Sequence, residues 1–331
     1  MPLEIKKDSL RQYGEYDVSL DKNYASLFCV GNGYFNVRGS FEEDTAIGVQ
    51  GLFIRGFIDK TIEAVSPSYQ SIFLKKHYYN EDKLKEWQDT ECGINPMDPL
   101  SVIVYVDEEM FSMCDGIVES FERELNYLTG ELARIVIWND GKGNLTKFTF
   151  KRFASFKKKN LLAQKIIVER LNHDKKITVL VGADTRVKTT GLNLGKVVKS
   201  SSTSTTVTRE VVSGELYNFK AFLIQDVNVN NGKIKGKTFD YKKMPFIKFE
   251  SKENTTTIEK MSFVTTSRDN DKYIKPLSYE EEFELHLEVF NRLMKDSIIE
   301  FEGNDKLLGK IHFSIYHTLI SSAYWDGIHG V

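Results

Sequence analysis

The sequence is short of several features that would declare a function outright. It carries no excess of charge: 45 Lys and Arg against 47 Asp and Glu leave a formal net charge of −2. Binding a phosphate backbone needs a concentrated basic face. The lysine clusters, Lys157 to Lys159 and Lys242-Lys243, are too short to supply one and read as solvated turns. Nucleic acid is therefore set aside as a partner, and no global field favours an anionic membrane. Cysteine is equally scarce. Cys29, Cys92 and Cys114 are odd in number and have no metal-site spacing. Neither a metal centre nor a disulfide framework is expected, and a reducing cytoplasm is the compartment that fits. Cys29, in an apolar strand pattern, is expected to be a small buried hydrophobe. The start, Met1-Pro2-Leu3-Glu4-Ile5-Lys6-Lys7, has no apolar signal core. No window approaches the ~20 apolar residues of a membrane helix.

What is present begins with Leu27-Phe28-Cys29-Val30-Gly31-Asn32-Gly33-Tyr34-Phe35-Asn36-Val37-Arg38-Gly39-Ser40-Phe41-Glu42-Glu43. A dinucleotide fingerprint would need glycine where Asn36 stands, followed by a helix, and a phosphate loop would need Gly-Lys-Ser/Thr. Neither is met. Two apolar runs flank Asn32-Gly33, the dipeptide that most readily closes a tight hairpin, so the stretch reads as strand, turn, strand.

The 331 residues suffice for two domains or one large all-β unit. From about residue 15 to 270 the hydrophobic period is two. Strands are expected at Val102–Val106, Arg134–Trp138, Thr146–Phe153, Leu161–Arg170, Ile177–Gly182, Asn218–Gln225, Phe246–Glu250 and Thr256–Thr266. Turn chemistry falls between them at Asn139 to Asn144, Asn172 to Lys175 and Asn230-Asn231-Gly232. Short strands at this spacing predict stacked antiparallel sheets. The Ser/Thr-rich run from Lys199 to Thr208 is read as a solvent-facing edge strand with its loop, because threonine favours strands.

After Pro276 the period changes. Ser278 and Glu281 form a capping box, and Phe283, Leu287, Phe290 and Met294 make one helical stripe. A second helix is expected after Gly303-Asn304, with Leu308, Ile311, Ile315 and Leu319 on one face and Leu307 and Ile320 beside it. Two amphipathic helices cannot bury their own apolar faces, which predicts that the chain is part of a longer enzyme.

Candidate chemistry is sparse. Glu42-Glu43-Asp44 follows the hairpin and Glu280-Glu281-Glu282 opens a helix, but adjacent residues on a strand face opposite ways and the helix glutamates complement the dipole. His312 and His317 are five apart, not the four of a zinc pair, so His312, which borders the apolar stripe, is expected to be a core-edge or helix-contact residue. No Gly-x-Ser-x-Gly elbow exists. Tyr69, Tyr78, Tyr79 and Trp87 could stack on sugars, although aromatics are more often core.

The opening hairpin resembles the N-terminal signature of glycoside hydrolase family 65, the maltose, trehalose, kojibiose and nigerose phosphorylases and their relatives. Leu27, Phe28, Gly31, Asn32, Gly33, Tyr34, Arg38 and Gly39 carry the pattern. Looser echoes follow in family order at Gly51 to Gly56, Lys151 to Phe156 and Phe301 to His317. Ala25 and Asn36 stand where relatives often have glutamate and glycine. The resemblance implies a mainly β chain. Residues 1–275 would be an antiparallel, galactose-mutarotase-like super-β-sandwich, 276–300 a helical linker, and 301–331 the start of a truncated (α/α)6 barrel. It implies an inverting enzyme that cleaves an α-linked glucose disaccharide by phosphorolysis or by hydrolysis, with inorganic phosphate as co-substrate in the first case, no cofactor or metal, and a homodimer. The signature residues Gly31, Asn32, Gly33, Tyr34, Arg38 and Gly39 would be structural. The family's acid glutamate and phosphate site lie on the barrel. Trp325-Asp326 lacks the flanking Phe and Thr-Glu of the family's barrel motif, so no catalytic residue is carried onto this chain. A non-catalytic sugar-binding sandwich module, or a mutarotase-like enzyme, are the other readings.

Overall fold

The computed structural model describes residues 3–43, 50–60, 91–188, 195–214, 217–322 and 325. Every strand pairing among them is antiparallel. A ten-stranded sheet runs in spatial order Leu3–Ile5, Ser9–Tyr13, Ile117–Asn126, Leu132–Asn139, Leu145–Ala154, Leu161–Arg170, Thr255–Thr266, Lys220–Val229, Thr206–Val212 and Lys196–Ser202. A five-stranded sheet runs Lys237–Tyr241, Met244–Ser251, Ile177–Val181, Val102–Val106 and Glu109–Met110. Val104, Val106 and Val179 of the second sheet pack on Phe148, Phe150 and Ile166 of the first, so the two form a sandwich. Smaller sheets join Val30–Gly31, Phe35–Val37 and Leu52–Ile54, and Ile58–Lys60 with Glu91–Gly93.

Alternation produced these strands as expected: along Leu132–Asn139, buried residues alternate with more exposed ones. Lys196–Ser202 is an edge strand, exposed almost throughout and bulged between Val197 and Lys199, a device that blunts edge-to-edge pairing. The link through Asn172 to Lys175 is not a hairpin within one sheet. It carries the chain from the ten-stranded sheet to the five-stranded one. The period of two is also interrupted. Val18–Leu27 is a helix, α1, started by Asp17, whose side chain accepts from Ser19 N at 2.9 Å.

A row of buried polar side chains crosses the inner face of the large sheet. Gln12 pairs with Arg123 and Arg123 with Arg134. Arg152 pairs with Gln164, Gln164 with Lys260, and Ser262 with Gln225; Arg209 ends the row. All are buried. On these strands the inward positions read apolar, polar, apolar. Phe148 and Phe150 lie on one side of Arg152 and Ala154 on the other; Ile166 and Leu162 flank Gln164; Val227 and Leu223 flank Gln225. The belt thus divides the core in two. A buried polar group must be hydrogen-bonded to be tolerated, and the belt spends its donors on backbone that crosses the sandwich. Arg123 Nη1 donates to Gly39 O at 2.9 Å and Arg152 Nη2 to Ser40 O at 2.8 Å. Gln225 Nε2 donates to Pro99 O at 2.9 Å, Lys260 Nζ to Gly182 O at 2.8 Å and Arg209 Nε to Ala183 O at 3.1 Å. Burial pushes the Lys260 ammonium down and the nearby Asp98 carboxyl up.

Two further helices follow, α2 (Tyr279–Ser297) and α3 (Asp305–Ser321). The capping box forms as read: Ser278 N donates to Glu281 Oε2 at 3.0 Å and Glu281 N to Ser278 Oγ at 3.4 Å. The buried stripe of α2 is Tyr279, Glu282, His286, Phe290 and Met294. Phe283 and Leu287 of the expected stripe lie at its margin. His286 Nδ1 accepts from Phe156 N at 3.1 Å while Nε2 faces Thr129 O at 2.9 Å. That pairing requires the neutral ring with its proton on Nε2, and burial pushes the ring down to about 4.

The buried face of α3 is Leu308, His312, Tyr316 and Ile320. Ile311, Ile315 and Leu319, expected on that face with Leu308, are only half-buried: Ile315 and Leu319 pack at the margin of the core, and all three line an open groove of about 440 Å³ with Ser297 and Thr318. The helix rotates because Tyr316 and His312 find polar partners inside, which a purely apolar stripe ignores. Gly309 permits the close approach: a Cβ there would lie 2.1 Å from Lys6 O.

Candidate functional site: the Gly31–Gly39 hairpin

The signature stretch is a hairpin, but Asn32 is not at its tip. Asn32 N donates to Phe35 O at 3.2 Å, so the tip residues are Gly33 and Tyr34, with Gly33 at φ +82°. Asn32 is fully buried. Its Nδ2 donates to Ser155 O at 2.7 Å and Lys159 O at 2.9 Å, and its Oδ1 accepts from Tyr34 N at 3.1 Å and Phe35 N at 3.3 Å. Its carbonyl accepts from Trp325 Nε1 at 2.9 Å. Its Nδ2 thus joins the hairpin to the loop after Leu145–Ala154, while its Oδ1 holds the hairpin tip.

The other signature residues serve the same packing. A Cβ on Gly39 would lie 2.5 Å from Phe28 Cβ, and one on Gly31 would lie 1.7 Å from Asn36 Oδ1. Gly39 N donates to Ala25 O at 2.6 Å, tying the hairpin exit to α1. Arg38 Nη2 donates to Ser26 Oγ at 3.0 Å. Tyr34 Oη donates to Asp269 Oδ2 at 2.6 Å. Burial and this carboxylate raise the phenol. Asp269 stays below its usual range despite burial, because Thr266 and Tyr34 hydrogen-bond to it. Lys159 Nζ sits 5.1 Å from the Tyr34 ring centre and 2.8 Å from Asp271 Oδ2.

Helix α3 docks on this hairpin. Gly33 N donates to Ile320 O at 2.8 Å, and Tyr316 Oη to Cys29 O at 3.0 Å. His317 Nε2 faces Leu27 O at 3.2 Å. His312 is fully buried and its ring meets non-helical carbonyls, Nδ1 facing Lys7 O at 2.8 Å and Nε2 Ile299 O at 3.0 Å. Cys29 is half-buried between α1 and the first hairpin strand rather than within a strand.

The carboxylates behave differently from the sequence reading. Glu42 and Glu43 are both buried and converge on one guanidinium: Arg134 Nη2 lies 2.9 Å from Glu42 Oε2 and Nη1 2.7 Å from Glu43 Oε1. Arg152 Nη1 takes Glu42 Oε1 at 2.5 Å. The segment is a loop, not a strand, so the alternation of adjacent residues does not apply. Glu282, expected to complement the dipole at a helix start, is buried there; its Oε1 pairs with Lys158 Nζ at 2.5 Å and accepts from Leu277 N at 2.8 Å. Of the belt partners, Arg152 stands in the Lys151 to Phe156 echo, whereas Arg123 and Arg134 carry no sequence signal beyond a charged residue at an inward strand position. Asp44, Tyr69, Tyr78, Tyr79, Trp87 and Asp326 lie outside the described residues. Among the described residues no group of three His, Cys, Asp or Glu is gathered as a metal site, and no helix is long and apolar enough to cross a membrane.

Residues 12–301 match the family described as glycosyl hydrolase family 65, N-terminal domain. The chain is 28% identical, over 96% of its own length, to 3-O-α-D-glucosyl-L-rhamnose phosphorylase of Lachnoclostridium phytofermentans, of which it spans 44%. It is 35% identical to the α,α-trehalose phosphorylase of Geobacillus stearothermophilus over 45% of this chain and 18% of that one. With the kojibiose phosphorylase of Halothermothrix orenii it shares 24% identity over 89% of this chain and 38% of that protein. The chain therefore spans less than half the length of these relatives. A solved structure from the human microbiome, provisionally named a kojibiose phosphorylase, superposes with a TM-score of 0.79 at 15% identity over 96% of this chain and 42% of that one. It shares the fold.

Proposed function

Because the chain belongs to the N-terminal domain of glycosyl hydrolase family 65, we propose that it is the scaffold of an inverting phosphorylase acting on an α-linked glucose disaccharide. In the whole protein a protonated carboxyl group would assist departure of the leaving sugar while inorganic phosphate attacks the opposite face of the anomeric carbon. The acid and the phosphate-binding groups would come from a helical barrel, with residues 1–275 as sandwich, 276–300 as linker and α3 at the barrel's start. A cytoplasmic homodimer is the assembly in keeping with this reading.

One observation carries it. The signature hairpin commits its polar groups to packing: Asn32 to the loop after Leu145–Ala154, Gly33 to α3, and Glu42 and Glu43 to the arginine belt. Polar groups committed in this way support a role in seating another element rather than in binding a sugar. The purified chain, incubated with kojibiose, trehalose or 3-O-α-glucosyl-rhamnose and inorganic phosphate, is expected to release no glucose 1-phosphate. Release above a phosphate-free control overturns the reading. Calorimetric titration with the same sugars separates a scaffold, which shows no submillimolar binding, from a sugar-binding module, which does.

A further inference from the structure

The sequence contains two Asn-Gly dipeptides, Asn32-Gly33 and Asn231-Gly232, and the fold treats them oppositely. In such a dipeptide the following amide nitrogen can reach the asparagine side-chain carbonyl, because glycine presents no Cβ to obstruct it. Asn32 cannot take part. Its carboxamide is held by four hydrogen bonds and Gly33 N is committed to Ile320 O at 2.8 Å.

Asn231 sits in the turn between Lys220–Val229 and Lys237–Tyr241, where Asn230, Asn231 and Gly232 have φ of 46°, 54° and 76°. Asn230 anchors the turn, accepting from Thr257 N at 2.7 Å and donating to Thr255 O at 3.4 Å. Asn231 is exposed, and no hydrogen bond holds its carboxamide among the described residues. Only the bond from Gly232 N to Val229 O, at 3.0 Å, must open before the nitrogen can react. Exposed turns open locally at low free energy.

We propose that Asn231 is a site of spontaneous covalent modification. Deprotonated Gly232 N attacks Asn231 Cγ. The new C–N bond closes a five-membered imide, and Nδ2 leaves with protons from water as ammonia. Water then opens either imide carbonyl, giving aspartate at 231 or its isoaspartyl isomer, in which the main chain runs through the side-chain carbon. The product places a negative charge in the turn, and the isomer lengthens its backbone.

The test is peptide mapping of the folded chain after incubation in mildly alkaline buffer, with isoaspartyl methyltransferase labelling to mark the isomer. Conversion at Asn231 is expected to exceed that at Asn32 by at least ~10-fold, as protection by a closed structure requires. In urea the ratio is expected to fall toward unity, because both dipeptides are then free. Asn231→Gln is expected to remove the labelled peptide. Conversion at Asn231 no faster than at Asn32 in the folded chain overturns the proposal, as does a labelling level that survives Asn231→Gln.

Discussion

The two halves of the core, on either side of the polar belt, are built on different principles. One half is apolar and is closed by the two large sheets with the loop residues Phe41, Phe111 and Met113. Phe111 stacks on Phe148 at 3.9 Å between ring centres, with Val104, Val179, Ile247 and Phe249 around them. The other half is completed by elements that are not sheet: α1, the hairpin, α2 and α3 all contribute to the cluster of Phe28, Phe35, Tyr127, Phe290, Tyr316 and Ile320. The first half needs only the hydrophobic pattern to specify it. The second depends on particular polar contacts, those of Asn32, His286, His312 and Tyr316, and this is where the family signature lies. Signature and scaffold therefore coincide: the recognisable residues hold the helices to the sandwich.

Four substitutions or conditions would break or sharpen that contrast. The largest effect is expected at the boundary itself. Arg134→Leu leaves Glu42 and Glu43 buried with Arg152 alone to face them. Removing one partner of a buried ion pair costs about 4 kcal/mol, so the urea midpoint should fall sharply and by the same amount for probes in both halves. A loss confined to the helices would show that the belt does not join them.

Acid is next, and it acts on the helical half. His286 is held neutral, at about 4 against an ordinary 6.5. The unfolded chain thus binds a proton between these values that the folded chain refuses. The contribution is fully present above about pH 6.5 and is lost as pH falls toward 4, a change on the order of 3 kcal/mol. Chemical denaturation across that window should show a steeper pH dependence in the native chain than in His286→Gln. Equal slopes would remove His286 from the account. Gly309→Ala is expected to cost about 2 kcal/mol by overpacking, because the new Cβ meets Lys6 O at 2.1 Å. Near-ultraviolet dichroism of the Tyr127–Tyr316 pair, whose ring centres are 6.3 Å apart, should report that loosening. The smallest effect is expected at the sheet edge: Val198→Thr alters an exposed residue of the Lys196–Ser202 strand and should change stability by less than about 0.5 kcal/mol.

The apolar half was legible in the sequence, and the other only in part. Arg134–Trp138 appears where alternation places it, because a strand buried on one face has few other ways to be written, and Val102–Val106 appears as a short, continuous apolar run buried on both faces. The capping box of α2 was equally plain, since two backbone amides need just those side chains. What was not legible depends on distant partners. Asn32 reads as a turn former until Ser155 and Lys159 are brought to it. Glu42 and Glu43 read as neighbours facing opposite ways until Arg134, far along the chain, comes between them. The face of α3 was misjudged because His312 and Tyr316 count as polar in a stripe, yet are buried by carbonyl groups from Lys7, Ile299 and Cys29. Helix α1 was missed because its ten residues hold too few apolar positions to outweigh the strands around them.

The central claim is that the signature hairpin is the seat of α3. Hydrogen exchange of the α3 amides in Asn32→Ala, compared with Phe148→Ala, tests it most directly. The account predicts that Asn32→Ala speeds exchange throughout α3 while the amides of Val102–Val106 and Leu145–Ala154 keep their protection, and that Phe148→Ala lowers protection everywhere together. Unchanged protection of α3 in Asn32→Ala would contradict it.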